Sequence, residues 1–246
     1  DSHLMELPDV LDASLDPKYR AGYAALPKLA KREESYVGKA RANHADPAFR
    51  ESADANIMLR KNYEAMGAFL KSDRPRALDQ LGFASQLVFT TWCLNNFRLE
   101  RPDQAELAYA TATAHNRMMQ DFCAVDRRFL GTAYVPLIDI GQAIATARDA
   151  IAMGAKALLI PSRPTGRSAS HIGHDPIWAM AQEAGIPILF HVGDEKKLDP
   201  QYLENGLPRV KDFHGGEENF TSVSYMPIPH SVELTLAALI IGGVMD

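Results

Sequence analysis

The sequence predicts an α/β fold: a TIM-like (β/α)8 barrel in which about five of the eight strands are accounted for. A helical and loop insertion follows the first strand. Three observations carry this. From Arg74 onward, short apolar runs alternate with amphipathic helices, the rhythm of a parallel sheet with helical crossovers. The runs carry few polar residues, as strands buried on both faces require. Neither a Gly-x-Gly-x-x-Gly turn after the first strand nor a phosphate loop is present. A doubly wound sheet satisfies the first two observations equally well, and the third favours the barrel.

The elements follow in order. Residues 8–74 are polar, broken by Pro8, Pro17, Pro27 and Pro47, and read as the insertion. Helices are expected there over Tyr19–Leu29 and Ile57–Leu70. Pro75–Gly82 reads as a helix closed by glycine. Gln86–Trp92 is β-branched and aromatic and reads as a strand. Asp103–Phe129 carries an apolar face at helical spacing, and Gly131–Leu137 reads as the next strand. Asp139–Met153 is a helix with an Asp start, and Gly154 is its stop. Lys156–Pro161 is a strand. Asp175-Pro176 opens a helix, with Asp as the expected N-cap and Pro at the first helical position. Gly185 ends it, and Ile186–Phe190 is a buried strand. Residues 194–229 read as a long loop, and His230–Met245 as a final helix.

Composition narrows the function classes. Of 246 residues, 46% are hydrophobic and 23% charged, with a net charge of −5. Residues 1–246 therefore suit one barrel domain with a large core, and no basic-aromatic platform for nucleic acid is present. The apolar run Leu234–Met245 is too short to span a membrane, and no secretory signal opens the chain. Cys93 and Cys123 read as buried thiols, so a reducing, cytoplasmic setting is expected. The expected partners are a small-molecule substrate and further copies of the chain, with neither nucleic acid nor membrane.

The chemistry-bearing residues sit at strand ends. His191 follows the run Ile186–Phe190, where barrels place their catalytic groups; a core histidine bonded to a carbonyl is the competing reading. Asp1 and His3 are two residues apart, so on an extended backbone both side chains face one way. A barrel would bring Asp1, His3 and His191 to one rim. Three protein ligands with an open position mark a catalytic metal site, and imidazole with carboxylate suits Zn, Mn or Fe. On the rim loop before Asp175, Arg163 and Arg167 could hold a substrate carboxylate, beside His171 and His174; a solvated loop is the alternative. Trp92 could wall the pocket or fill the core.

With those residues in view, the chain resembles the amidohydrolase-related (amidohydrolase 2) family, which includes aminocarboxymuconate-semialdehyde decarboxylase and its relatives. The resemblance is carried by the opening DSHLMELPD, close to the family's D-x-H-x-x-E-P-P-D. It continues through HNRMMQDFCAVDRRFLGTAYVPLID, ARDAIAMGAKALLIPS, HDPIWAMAQEAGIPILFHVG and ELTLAALIIGGVMD. It implies a barrel of the metal-dependent hydrolase type with one divalent metal, Zn before Mn or Fe. Asp1 and His3 match the first-strand metal pair, and His191 the fifth-strand ligand. In many relatives the first pair is two histidines, so Asp1 is a departure. The sixth-strand histidine and eighth-strand aspartate find no counterpart here, so the catalytic residues stay unassigned and the C-terminal part of the barrel is expected to be missing. The first strand is expected to precede Asp1. The implied activity is hydrolysis of a lactone, amide or similar group, or non-oxidative decarboxylation of a small carboxylic or aromatic acid. A catalytically inactive barrel that binds a small molecule is the alternative.

Overall fold

The computed structural model describes residues 2–25, 37–91, 99–191, 199–203, 206 and 226–246. Five strands form one sheet: β1 (Ser2–Leu4), β2 (Gln86–Thr90), β3 (Phe129–Tyr134), β4 (Ala157–Leu159) and β5 (Ile188–Leu189). Every pairing is parallel, and the spatial order is the sequence order. A doubly wound sheet reverses its strand order at a switch point. This one does not, and it runs as the wall of a barrel.

Register divides the wall into two faces. The pairs Leu4↔Thr90, Val88↔Gly131, Ala133↔Leu158 and Leu158↔Ile188 put those residues on one side. His3↔Phe89 and the row Tyr134↔Leu159↔Leu189 lie on the other. The first face packs against helices. Leu4 and Val88 join Leu11 of α1 (Pro8–Ser14), Tyr23 of α2 (Pro17–Ala24) and Met118, Met119 and Phe122. Ala133, Leu158, Ile160 and Ile188 pack on Ala143 and Ala147, on Ile177 and Ala181, and on Leu239. The second face carries a smaller cluster of Phe89, Tyr134 and Leu159, with Leu87 and Leu189 against it. It is the inside of the barrel.

The insertion is helical, but not where the apolar spacing placed the helices. After α1 and α2 come α3 (Gly38–Ala45) and α4 (Pro47–Ala55). Asp46 caps α4 by accepting from the Ala48 N–H at 3.0 Å, and Pro47 occupies its first turn. The same Asp-Pro device opens α2 at Asp16. Residues 57–70 hold two 3₁₀ turns, Ile57–Leu59 and Asn62–Glu64, in place of the expected helix. Asn62 has φ 55 and Gly67 φ 73, and such left-handed residues break α-helical propagation. The expected helix over Tyr19–Leu29 ends at Ala24, and residues 26–36 lie outside the described residues.

Beyond the insertion the expected alternation stands, with shifted ends. Helix α5 (Arg74–Leu81) stops at Gly82, in the left-handed region. The long helix α6 is Ala105–Cys123, shorter than expected at its C-terminal end. The Asp126 carboxylate accepts from the Arg128 backbone N–H and guanidinium, and this turn starts β3 two residues early, at Phe129. Helix α7 (Ile140–Ala152) is capped by Asp139, which accepts from the Gln142 N–H at 2.8 Å. Helix α8 (Asp175–Ala184) takes His174 as its N-cap, so Asp175 is the first helical residue and not the cap. β1 lies within the chain and not before Asp1. β5 is shorter and more exposed than a strand buried on both faces, because among the described residues it pairs only with β4. A short helix, α9 (Pro200–Leu203), precedes α10 (Pro227–Ile241), which starts three residues before His230. No helix among the described residues is long and apolar enough to cross a membrane.

One contact joins α6 to β3 where its pairing with β2 stops. β2 pairs with β3 only as far as Gly131. Beyond it the Asn116 side chain takes the place of a strand: the Tyr134 N–H donates to its Oδ1 at 2.7 Å, and its Nδ2 donates to the Tyr134 carbonyl at 2.9 Å.

Candidate metal centre

In a flat sheet, four inter-strand gaps of about 4.8 Å would separate β1 from β5 by about 19 Å. Yet His3 Nε2 lies 3.2 Å from His191 Nε2, and the rings sit 5.0 Å apart, edge on. The sheet is therefore curled, and its concave face carries both imidazoles near the C-terminal ends of the strands. Phe89 floors them, with ring centroids 6.0 Å from His3 and 5.1 Å from His191.

His3 is oriented from β2. Its Nδ1 donates to the Thr90 carbonyl at 2.8 Å, with Thr91 Oγ1 at 3.2 Å. A carbonyl only accepts, so the proton sits on Nδ1 and the Nε2 lone pair faces His191. Burial, then the neighbouring His191, push the His3 pKa down to about 4, which keeps the ring in the neutral form that a metal requires. Two nitrogens bound to one tetrahedral cation at about 2.05 Å would lie about 3.3 Å apart. The observed spacing fits that, and it also suits a direct N–H···N hydrogen bond.

Behind the wall stands a group that the sequence did not single out. Glu6 is buried, and its carboxylate accepts from the Thr90 hydroxyl and from the Thr91 N–H at 3.1 Å. It thereby fixes the strand end whose carbonyl orients His3, an arrangement of the kind that tunes metal ligands. His115 of α6 brings its Nε2 to 3.9 Å from the same carboxylate, and its Nδ1 lies 3.1 Å from Asn116 Oδ1. Arg74 is buried and donates to the carbonyls of His3, at 3.2 Å, and Gly67, at 2.9 Å. Glu6 stands in the opening motif at H-x-x-E spacing; only the tertiary fold shows what it holds.

Of the expected ligands, His3 and His191 meet. Asp1 lies outside the described residues, as does Trp92. Among the described residues no group of three or more His, Cys, Asp or Glu side chains gathers. Arg163 lies on the loop after β4. His171 caps a 3₁₀ turn, accepting the Gly173 N–H at 3.0 Å. His174 is buried beside Trp178. His44 is buried too, its Nε2 2.8 Å from the Tyr63 carbonyl. Burial pushes the Cys123 thiol up to about 12, as an inert core thiol requires.

A family model described as Amidohydrolase matches residues 74–228, more than half of the chain. The chain belongs to the amidohydrolase family. Among solved structures it is similar to an amidohydrolase from Mycobacterium avium subsp. paratuberculosis K-10, at 19% identity and a TM-score of 0.63. That match covers 99% of this chain and 67% of the other. It is also similar to a Staphylococcus aureus protein described as an amidohydrolase, at 16% identity and a TM-score of 0.51, over 73% of this chain and 57% of that one. At such identities the likeness is one of fold. No curated protein sequence matches the chain.

Proposed function

We propose that this amidohydrolase-family chain carries a divalent metal centre at His3 and His191, with Asp1 as a further ligand, and that it hydrolyses a lactone, amide or similar group or decarboxylates a small carboxylic or aromatic acid. The observation that carries the proposal is the 3.2 Å approach of two Nε2 atoms from opposite ends of the sheet, one of them with its proton held on Nδ1 by a carbonyl. Imidazole nitrogens with a carboxylate suit Zn first, then Mn or Fe. Such a cation supplies Lewis-acid polarisation of a carbonyl or carboxylate and lowers the pKa of water.

The protein's own share is orientation. Thr90 sets the His3 tautomer, Glu6 holds Thr90, and Phe89 makes the floor apolar. Lactone or amide hydrolysis leaves a ring-opened or cleaved acid, whereas decarboxylation releases carbon dioxide, so product analysis separates the two reactions.

Metal analysis tests the centre. The full chain should retain about one equivalent of metal, as a three-ligand catalytic site does. His3→Ala and His191→Ala should each lower its affinity by about 100-fold or more, while the thermal midpoint of metal-stripped protein changes little. A chain that neither carries stoichiometric metal nor takes up Zn or Mn overturns the proposal and leaves a small-molecule-binding barrel.

A further inference from the structure

We propose that a second cavity, distinct from the histidine pair, binds an oxyanion carried on an apolar body: an organic carboxylate or a phosphate monoester. The cavity, about 490 Å³, lies between the loop that follows β4 and the first turns of α10. Its polar lining includes the cations Arg163 and Arg167 together with His230 and Ser231, and among the described residues no acidic side chain lines it. Among the described residues neither arginine takes part in an ion pair or hydrogen bond. Arg41, Arg50 and Arg128, by contrast, are held by Asp9, Asp73 and Asp126.

Ser231, only 5% exposed, also lines the cavity, where its hydroxyl can donate to a ligand oxygen. The walls are fixed to each other, because the Thr235 hydroxyl donates to the Ser162 carbonyl at 2.6 Å and ties α10 to the end of β4. Leu234, Ala238 and Pro164 supply an apolar side. Two guanidiniums select oxygen anions by paired N–H donation, and the apolar side selects a ligand with a hydrocarbon or aromatic body over a bare ion. The loop follows β4 and the helix follows β5, so the cavity opens on the same rim as His191, one strand away.

Titration calorimetry of the full, metal-stripped chain tests this with benzoate, phenyl phosphate and inorganic phosphate. Benzoate or phenyl phosphate should bind with one-to-one stoichiometry, and the tighter of the two identifies the ligand as carboxylate or phosphate monoester. The double variant Arg163→Ala/Arg167→Ala should weaken that binding by about tenfold or more, and Ser231→Ala by about threefold to tenfold, with thermal midpoints unchanged. His191→Ala should bind as the parent does, whatever the fate of the metal centre. No binding of any probe overturns the proposal, as does binding that survives the double variant, binding lost in His191→Ala, or inorganic phosphate binding as tightly as the aromatic probes.

Discussion

His3 and His191 reach the same point by different means. His3 stands on a strand paired through three residues with β2. Its ring is held by the Thr90 carbonyl and its own carbonyl by Arg74, while Glu6 pins the Thr90–Thr91 corner from behind. His191 stands two residues past a two-residue strand that is half-buried and, among the described residues, pairs only with β4. One imidazole is fixed before any ligand arrives; the other stands past the shortest strand of the wall. A metal bound here would meet one imidazole whose orientation is already set, so preorganisation is concentrated on the β1–β2 side.

Substitutions can sharpen or break this contrast. The largest effect is expected at Arg74. Its replacement by Met leaves the His3 and Gly67 carbonyls and the Gln86 side chain without their donor. Several buried groups unsatisfied at about 1–3 kcal/mol each, less the relief of a buried charge, amount to about 3–4 kcal/mol. Urea unfolding measures it, and a loss under about 1 kcal/mol would mean that the braced side is not braced.

Next comes acid. Burial holds the His115 pKa down to about 4, from an ordinary 6.5, against a smaller upward pull from Asn116. Between those values the unfolded chain binds more protons, so stability is full above about pH 6.5 and falls as the pH drops towards 4. The loss from this one group is at most about 3 kcal/mol. Glu6, 3.9 Å away, would soften it by welcoming the protonated ring. His115→Gln should flatten the pH dependence of the unfolding midpoint across that window; an unchanged slope would show that other groups govern it.

The smallest effect belongs to the other side. Leu189→Ala removes a partly buried side chain from the inner cluster and should cost about 1 kcal/mol, well under the 2–5 of a closed core. A loss as large as that of Arg74→Met would erase the asymmetry between the two ends.

The alternation of short apolar runs and helices was legible in the chain, because parallel strands and amphipathic helices leave different periods in sequence. His3 and His191 were each singled out at a strand end, and the fold brings them to 3.2 Å of one another. The bracing was not legible. Glu6 reads as a polar residue after a strand, Arg74 as a helix start, and His115 as one more residue on α6; each acquires its partner only across the fold. The helical expectation over residues 57–70 failed because apolar spacing says nothing of Asn62 and Gly67 turning left-handed. Conversely, α4 was missed although Asp46-Pro47 announced it, because its apolar face is short, with Phe49 as its one large side chain.

Asn116 has a further consequence. A side-chain amide is a peptide group on a short tether, and here it continues the β2 side of β3 with one donor and one acceptor. The Tyr134 amide proton is thus shielded from solvent by a helix and not by a neighbouring strand. It can exchange only when α6 lifts away, so α6 and β3 open as one cooperative unit, and the exchange of that single proton records how often the barrel wall comes undone.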